Sequence, residues 1–434
     1  MDQGRRQFLR TTAAGSIGSL ALTNQAIAAV RRQPMPAVPA PAGPRGAEPV
    51  RIGVIGTGGM GTGHVESLLA IGKDGRANVQ VAALADVCRP RLEAARAKVV
   101  AAQGEGTVEV HYPDYGALLA RPDIHGVLIA SPEHWHARMV EDAVAAGKAV
   151  YVEKPMTLRM PEALRLHELT QANPQALVVV GTQFVVSPGY RKARELVAAG
   201  SIGKPVWSQT SYCRNSKEGE WLYYAIDPAW EPGVNLDWKL WCGPLGDAPW
   251  NAEVYARWRR YRKYSTGIIG DLLVHRITPI IMALDLGWPT RVVASGGHYV
   301  DTAMENHDQV NLNIEFEGNH TLVVAGSTVN EVGLETVIRG HKGNLYLTGR
   351  TVTLRPERLY ADEVDEQTIT GDDQGDDQDR LRIQWIEAIR SKAPSPSPVE
   401  LGAKVMVAVD LATRSLWEGS AFGFDPKTMR ARKL

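Results

Sequence analysis

The stretch VRIGVIGTGGMG, residues 50–61, begins as a β-rich run and ends in a G-x-G-x-x-G pattern. Glycines at such a strand-to-helix turn permit a tight bend and a close approach of the backbone, and the N-terminus of the following helix attracts a pyrophosphate. The pattern therefore predicts a dinucleotide-binding turn, with a ligand-free glycine turn as the alternative. The predicted pyrophosphate-binding residues are Gly56, Gly58, Gly59, Met60 and Gly61.

A second β-rich run, Val79 to Ala85, ends in Asp86. A carboxylate at this point can hold both ribose hydroxyls of NAD, and it repels the 2′-phosphate of NADP. Arg89 and Arg91 follow closely, so NADP stays an alternative cofactor. Asp86 could also serve only as a helix cap.

The alternation of strands and helices continues beyond this unit. Residues 124–130 and 149–152 are predicted strands, and a helix is predicted between them from Ala137 to Gly147. Such βα units form a parallel, doubly wound sheet that binds ligands at the carboxyl ends of its strands. Two loops fall at those ends: Ser131-Pro132-Glu133-His134-Trp135-His136 and Glu153-Lys154-Pro155.

Lys154 in the second loop can polarise a substrate oxygen, or it can be a surface lysine paired with Glu153. His134 and His136 would point to opposite faces of an extended loop, so no metal site is predicted there.

Length, charge and cysteine content narrow the class of protein. A chain of 434 residues is long enough for two domains, or three. Its 48 Lys and Arg balance 48 Asp and Glu, which argues against a nucleic-acid partner. Three cysteines without a C-x-x-C pair exclude a disulfide scaffold and a cysteine zinc site.

The N-terminus carries an export pattern. Arg5-Arg6 precedes a weakly apolar stretch that ends in Ala26-Ile27-Ala28. This combination predicts a twin-arginine signal peptide over residues 1–28, with a retained basic arm as the alternative. The protein would then be exported already folded to the periplasm or another extracytoplasmic space. Residues 29–49 are proline-rich and are predicted to be a semi-rigid arm. No later run is long and apolar enough to predict a membrane span.

Together with the motifs above, several later markers make the chain resemble the glucose–fructose oxidoreductase / inositol dehydrogenase / rhizopine-catabolism (Gfo/Idh/MocA) family from about residue 50 onward. These markers are Gly181-Thr182-Gln183, Gly200-Ser201-Ile202-Gly203-Lys204, residues 237–244 (DWKLWCGP), Gly267-x-x-Gly270-Asp271-x-x-x-His275 and Gly340-His341-Lys342-Gly343-Asn344.

The resemblance implies an α/β architecture: an N-terminal Rossmann domain over residues 50–175 and a C-terminal α/β domain over 176–434 with a large, open, mostly antiparallel sheet. The C-terminal helices would pack back on the Rossmann domain, and the sheet would form a homodimer or homotetramer. The implied cofactor is tightly bound NAD, or NADP. Its implied further binding residues are Ser131, Pro132, His136, Glu153 and Lys154.

By the same resemblance, Lys154, Asp271 and His275 are the implied catalytic residues. Asp271 and His275 lie four apart in a helix-compatible run, so they share one face. A histidine near its ordinary pKa of ~6.5 can take the proton of an alcohol as hydride departs. A lysine can stabilise the developing alkoxide. Helix capping by Asp271 and core packing of His275 are the alternatives.

Two positions depart from the family pattern. Thr278 stands where relatives commonly have an aspartate, and Pro279 beside it is expected to kink a helix. Gln183-Phe184-Val185 replaces a common Gln-x-Arg. Both departures lie among the residues expected to orient the substrate.

Residues 205–265 hold seven of the eleven tryptophans and six of the thirteen tyrosines. Aromatic rings suit the apolar faces of sugars, so the segment predicts a carbohydrate cleft, although many of these rings are expected to pack loops against the sheet. The candidate substrate residues are Trp135, Gln183, Trp258, Arg259, Tyr264 and Thr278.

Three functions are therefore open. The first is an exported sugar or polyol oxidoreductase that transfers hydride to and from a tightly held nucleotide. The second is a redox-neutral, NAD-dependent glycosidase that oxidises C3 transiently. The third is a sugar-binding protein without catalysis.

Farther along the chain, strands are predicted at 292–295, 310–314 and 321–324, an acidic loop at 362–379, and helices at 381–390 and 399–417.

Overall fold

The computed structural model describes residues 35–373 and 375–434. The predicted signal peptide, and residues 29–34 of the predicted arm, lie outside the described residues. From Val38 onward the proline-rich arm contacts its own chain. The backbone of Val38 is hydrogen-bonded to the side chains of Asn173 and Gln175, and Arg390 donates to the carbonyl oxygens of Gly46 and Glu48.

The first lobe is built on a six-stranded parallel sheet in the order β3-β2-β1-β4-β5-β6. Its central strands are apolar on both faces because helices cover both sides. The sheet confirms the predicted doubly wound fold, and it extends to Val180, past the predicted boundary at residue 175. The strands are β1 (Val50–Ile55), β2 (Val79–Ala85), β3 (Glu109–His111), β4 (Gly126–Ile129), β5 (Ala149–Val152) and β6 (Val178–Val180).

The helices of this lobe alternate with the strands. One of them begins earlier than the sequence indicated: Pro132 is extended, and Glu133 opens the helix, so residues 133–136 form its first turn rather than a loop. A proline is tolerated at such a boundary, because the N–H that it lacks would have no partner within the helix. The helices are α1 (Gly59–Lys73), α2 (Arg89–Gln103), α3 (Gly116–Leu119), α4 (Glu133–Ala145) and α5 (Met160–Ala172).

The second lobe holds an eleven-stranded sheet that is antiparallel except where β7 pairs with β10. In β9 the residues Val310, Leu312 and Ile314 are buried, and the polar residues between them face the other side. The strands are β7 (Pro205–Asn215), β8 (Pro289–Gly297), β9 (Gln309–Phe316), β10 (His320–Ser327), β11 (Val329–Asn330), β12 (Thr336–Gly340), β13 (Gly343–Thr348), β14 (Thr351–Pro356), β15 (Gln367–Thr370), β16 (Phe422–Asp425) and β17 (Arg430–Lys433).

The predicted acidic loop at 362–379 therefore contains the edge strand β15 and the start of a helix. The remaining helices are α6 (Pro188–Ala198), α7 (Trp238–Cys242), α8 (Ala252–Arg257), α9 (Val274–Leu284), α10 (Asp377–Ser391) and α11 (Val399–Glu418). Single 3₁₀ turns lie at Gln183–Val186, Gly243–Leu245, Trp258–Arg260 and Arg358–Tyr360.

The two C-terminal helices join the lobes. On α10, Leu381, Trp385 and Ile389 enter the same apolar core as Val50 and Val54 of β1, so this helix packs on the Rossmann sheet as the family resemblance implied. Helix α11 contacts both α5 and β8. No helix among the described residues has the length and apolarity needed to cross a bilayer.

Candidate active site

The glycine turn has the geometry of a nucleotide-binding loop. Gly56 has a φ of +88°, and a Cβ there would lie 2.7 Å from the amide nitrogen of Ser131. A Cβ on Gly61 would overlap the carbonyl oxygen of Gly56, whereas one on Gly59 would meet nothing within 4 Å. The first and third glycines of the motif are thus needed for the turn itself. The second half of the turn faces open space in which a ligand can lie.

The side chain of Asp86 is hydrogen-bonded to the glycine turn. Its Oδ2 accepts from the backbone N of Thr57 at 2.6 Å and from the hydroxyl of Thr57 at 3.0 Å, and its Oδ1 accepts from the backbone N of Cys88 at 2.7 Å. The carboxylate therefore ties the glycine turn to the loop after β2; it does not cap helix α2, whose N-cap is Cys88 and which has no side-chain cap. It also lines the cavity, so it can face a ribose.

A cavity of about 350 Å³ opens from the glycine turn and has walls from both lobes. The first lobe contributes the turn, including Met60, together with Ser131, Pro132 and Trp135. The second lobe contributes Trp258 and Arg259, among others. Seven of the predicted cofactor residues (Gly56, Gly58, Gly59, Met60, Asp86, Ser131 and Pro132) and three of the predicted substrate residues (Trp135, Trp258 and Arg259) therefore line one cavity.

A segment of the second lobe, residues 229–258, crosses this cavity; we term it the strap. The strap is tied to the loop after β2: Asp237 N donates to Val87 O at 2.9 Å, and Arg89 N donates to Asn235 O at 2.8 Å. Arg91, which lines the cavity, has its guanidinium 4.7 Å from the ring centre of Trp230 and 4.6 Å from that of Tyr255. Arg89, the other basic residue that the sequence offered to a 2′-phosphate, has its guanidinium 4.1 Å from the ring centre of Tyr112.

The strap and its neighbours form an aromatic cluster. Trp230, Trp238, Trp241, Tyr255 and Tyr264 are buried and pack on one another. The prediction that many of these rings pack loops is confirmed. The assignment of Tyr264 to the substrate is wrong, because its ring lies against Trp241 at 5.1 Å and is only 4% exposed.

Lys154, Asp271 and Arg259 form one charged cluster, and Arg259 is its member in the wall of the cavity. Lys154 Nζ lies 2.9 Å from Asp271 Oδ1 and donates to the Asp271 backbone oxygen at 2.8 Å. Arg259 Nε donates to the same Oδ1 at 2.8 Å. Burial opposes the ionisation of Asp271, but the charges of Arg259 and Lys154 outweigh it and hold the pKa of this carboxyl well below its usual range. The alternative of a surface Lys154 paired with Glu153 does not apply.

Asp271 lies in a π-helical turn, Ile269–Leu273, which runs directly into α9. The regular α-helical spacing assumed for Asp271 and His275 is therefore wrong in detail, because the wider turn changes the angle between them. Pro279 lies inside α9 and carries no N–H, so the α-helical hydrogen bond to the carbonyl of His275 is missing.

Thr278 does not offer its proton to a substrate. Its hydroxyl donates to the carbonyl of Val274 at 2.6 Å, and the residue is 1% exposed. The predicted substrate contact at this position is wrong, because the side chain is used to satisfy its own helix.

His275 is buried next to the Lys154 cluster, and its Nδ1 has no hydrogen-bond partner among the described residues. Burial, together with the charge of Lys154, lowers the pKa of His275 to about 3. The expectation of an ordinary histidine pKa is therefore wrong. At neutral pH the ring is uncharged and can accept a hydrogen bond.

Three neighbours of His275 were not identified from the sequence. The rings of Phe184 and Tyr212 lie 6.1 and 6.2 Å from the imidazole, and the guanidinium of Arg276 contacts the same two rings. Gln183, next to Phe184, has a buried Oε1 without a hydrogen-bond partner among the described residues. The predicted contact of Gln183 with the substrate stays a prediction. Only Arg276 was detectable in the sequence, as a charge adjacent to the predicted catalytic histidine.

Two predicted cofactor residues support the site without lining the cavity. Glu153 is 4% exposed and accepts from His64 Nε2 at 2.8 Å and from Lys154 N at 3.1 Å. His136 has Nδ1 2.7 Å from the carbonyl of Pro155 and Nε2 2.8 Å from that of Ser131. Both side chains thus have structural roles in the loops around the site, and their predicted contact with the nucleotide stays a prediction. The described residues include no group of three His, Cys, Asp or Glu side chains suited to a metal ion.

A further buried carboxyl links the two lobes. Ser265 Oγ donates to Glu133 Oε1 at 2.6 Å and accepts from Gly267 N at 3.0 Å, and Gly267 O accepts from Asp271 N at 2.8 Å. Burial raises the pKa of Glu133 to about 7. The start of α4 is thus connected by hydrogen bonds to the turn that carries Asp271.

These features define a two-lobed, dinucleotide-binding protein with a charged cluster that reaches the wall of the nucleotide cavity through Arg259. The family comparisons agree. Residues 50–182 match the model described as "Oxidoreductase family, NAD-binding Rossmann fold", and residues 246–346 match the "GFO/IDH/MocA C-terminal domain". The chain belongs to the Gfo/Idh/MocA family, and its first lobe is an NAD-binding Rossmann fold.

Among individual relatives, inositol 2-dehydrogenase 3 of Saccharopolyspora erythraea is 36% identical over 216 residues, which is 50% of this chain and 59% of that protein. Inositol 2-dehydrogenase of Pseudomonas savastanoi pv. phaseolicola is 36% identical over 173 residues, which is 39% of this chain and 48% of that protein. The chain thus spans about half the length of the curated relatives it matches.

Solved structures show the same fold over most of the chain. A probable dehydrogenase from Thermotoga maritima is 22% identical with a TM-score of 0.59, and levoglucosan dehydrogenase in complex with NADH is 18% identical with a TM-score of 0.64. Each match covers 86% of this chain and 98% of the other. At these identities the likeness extends to the fold alone.

Proposed function

We propose that this protein is a nicotinamide-dependent oxidoreductase that acts on a CH–OH group of a sugar or polyol. The observation that carries the proposal is the Lys154–Asp271–Arg259 cluster, which lies beside uncharged His275 and is joined through Arg259 to the wall of the cavity that contains the glycine turn. The inositol dehydrogenases among the relatives support a polyol or sugar as the substrate class.

The residues at the cavity fit the cofactor. The glycine turn leaves open space at Gly59, Asp86 faces the cavity, and the loop at Ser131 and Pro132 forms the opposite wall. When bound, the nicotinamide supplies a hydride acceptor, or a hydride donor in the reverse direction. Asp86 favours NAD over NADP, because its negative charge repels a 2′-phosphate.

The chain's own residues would do the rest of the chemistry. The ammonium of Lys154 is held by two oxygen atoms of Asp271, so a third N–H is free to stabilise negative charge on the substrate oxygen. The uncharged imidazole of His275 can accept the hydrogen of the substrate hydroxyl and so orient it. Burial of Lys154 and Asp271 excludes water and strengthens both interactions.

We further propose that the nucleotide is tightly held and that the protein is exported folded. The strap across the cavity supports retention, and the Arg5-Arg6 signal supports export by the twin-arginine route to the periplasm. A retained nucleotide would be reduced by a first substrate, an alcohol, and reoxidised by a second substrate, a carbonyl compound. We also propose a homodimer or homotetramer formed through the open sheet, on which Trp207 is 37% exposed.

The test starts from purified protein. We expect denaturation to release NAD(H), identified by mass and absorbance, and we expect a sugar donor–acceptor pair to turn over without added cofactor. Absence of both results would remove the support for the proposal. Free phenol from an aryl glycoside, without net oxidation of the sugar, would instead favour the redox-neutral glycosidase. Fractionation and N-terminal sequencing of the secreted form test the export route.

A further inference from the structure

We propose that Arg276 binds a carboxylate of the substrate, so that the preferred substrate is an acidic sugar such as a uronate or an aldonate. This inference rests on the proposed function and narrows its substrate class. It starts from the fact that His275 and Arg276 contact the same two aromatic rings.

The guanidinium carbon of Arg276 lies 5.2 Å from the ring centre of Phe184 and 5.5 Å from that of Tyr212. The imidazole of His275 lies 6.1 and 6.2 Å from the same centres. Both side chains are therefore next to one another, although they are consecutive on a helix. A group bound to Arg276 would lie within one small sugar of the ring that accepts the substrate hydroxyl.

The other cations of this region have carboxylate partners. Lys154 and Arg259 share Asp271, and Arg214 on β7 is paired with Glu220. Within residues 35–373 and 375–434, Arg276 has no carboxylate at ion-pair distance; its guanidinium is hydrogen-bonded to the uncharged hydroxyl of Tyr190, and its buried Nε has no hydrogen-bond acceptor. A partly buried guanidinium without an anion is costly, so a ligand anion would stabilise it.

A carboxylate fits this position better than a phosphate does. The planar fork of an arginine matches a carboxylate with two parallel hydrogen bonds. A phosphate ester carries more charge and is commonly held by several donors or a helix N-terminus, whereas Arg276 offers one guanidinium without a carboxylate partner. The rings on either side would fix the plane of the fork and favour bidentate binding.

An anion at Arg276 would also act on the neighbouring base. The positive charge of Arg276 is one of the contributions that lower the pKa of His275. A bound carboxylate would offset this charge and make the imidazole a better hydrogen-bond acceptor. A bound acidic substrate would thus make His275 a better acceptor for the hydrogen of the hydroxyl group that is oxidised.

The experiment uses the full chain as purified. Oxidation and calorimetric binding of D-glucuronate, D-glucose and D-glucose 6-phosphate are compared for the wild type, Arg276→Met and Arg276→Lys. Arg291→Met is the control, because Arg291 is exposed and pairs with Glu315 on β9, away from His275. We expect glucuronate to be preferred, and we expect Arg276→Met to lower kcat/KM for glucuronate roughly 10- to 100-fold more than for glucose. Arg276→Lys should recover part of the loss, and Arg291→Met should change neither substrate.

Preference of the wild type for glucose or for the phosphate ester would overturn the proposal, as would an equal effect of Arg276→Met on acid and neutral sugar. Protein that contains no nucleotide and oxidises no sugar would refute the proposed function instead. In that case, calorimetric binding still tests the carboxylate site at Arg276. Such a site predicts that glucuronate binding, and not glucose binding, depends on the guanidinium.

Discussion

Arg382 donates from Nε to Nδ1 of His64 at 2.9 Å, although the two residues are 318 positions apart. A guanidinium has no acceptor, so Nδ1 of His64 must be the acceptor in this pair. The proton of the neutral ring is therefore on Nε2, from which it is donated to Glu153 Oε1 at 2.8 Å. Burial lowers the pKa of His64, which agrees with a neutral ring.

This chain of hydrogen bonds fixes the residue before Lys154. Burial alone would raise the pKa of Glu153, but the hydrogen bond from His64 and the charge of Lys154 outweigh it and hold the pKa at about 2. The ionised carboxylate also accepts from the backbone N of Lys154. A C-terminal helix thereby positions the loop that carries the predicted catalytic lysine.

The first prediction concerns His64. We expect His64→Ala to lower the free energy of unfolding by about 2–4 kcal/mol, because Glu153 and Arg382 are left buried without their shared partner. His64→Gln should lose less, since an amide can accept from Arg382 and donate to Glu153. Urea unfolding at pH 7 measures both. Lys98→Ala, which breaks an exposed pair with Glu66, is the control. Equal losses for His64→Ala and His64→Gln would show that packing rather than the hydrogen-bond chain matters.

The second prediction concerns Lys154. We expect Lys154→Met to lower kcat by roughly 10²–10⁴-fold, because the developing charge on the substrate oxygen loses its nearest cation. Asp271 keeps Arg259 as a partner, so the fold and the bound nucleotide should be retained. Kinetics and nucleotide stoichiometry are measured together, with exposed Lys239→Met as the control. Full activity of Lys154→Met would mean that another group stabilises the alkoxide.

The third prediction is a pH dependence of stability due to Glu133. Its pKa is about 7 in the folded protein against 4.5 in the unfolded chain, so the folded state binds an extra proton between these values. This contribution is complete below pH 4.5 and is lost as the pH rises through 7, which amounts to roughly 3 kcal/mol. The groups that face the carboxyl are Ser265, Asp271, Arg259 and Lys154.

Glu133→Gln should remove this loss, because a glutamine keeps the acceptor for Ser265 and does not ionise. The measurement is the difference between the wild-type and Glu133→Gln free energies of unfolding from pH 4.5 to 8. Buried histidines such as His134, whose pKa is lowered to about 4, contribute the opposite slope to both proteins and cancel in the difference. A difference that does not vary with pH would contradict the prediction.

The sequence predicted the first lobe well, because its signals are local. The glycine turn, Asp86 and the strands before each loop are recognisable from consecutive residues and from the period of apolar side chains. The second sheet was predicted only in part, since strand order depends on contacts between distant segments. The edge strand at residues 367–370 is mostly exposed and polar, so its sequence resembles a loop.

The sequence predicted those site residues whose chemistry follows from their residue type. It failed for residues whose role depends on the groups that surround them in the fold. Lys154, Asp271 and Arg259 were named, and they meet. Thr278 and Tyr264 were misassigned, because neither the hydrogen bond of Thr278 to its own helix nor the packing of Tyr264 on Trp241 is visible in the spacing. The lowered pKa of His275 arises from burial, which only the tertiary structure determines.

The fourth prediction tests whether the strap retains the nucleotide. Trp230→Ala removes one of the two rings against Arg91 and loosens the strap over the cavity. Because a cation–π contact contributes about 0.5–2 kcal/mol, we expect the nucleotide to dissociate roughly 3- to 30-fold faster. The release rate is measured by fluorescence after dilution into apo-protein or a nucleotide-consuming enzyme. Trp207→Ala, on the partly exposed sheet face, is the matched control and should release the nucleotide at the wild-type rate. If Trp230→Ala releases no faster than Trp207→Ala, retention depends on the glycine turn and its loops rather than on the strap.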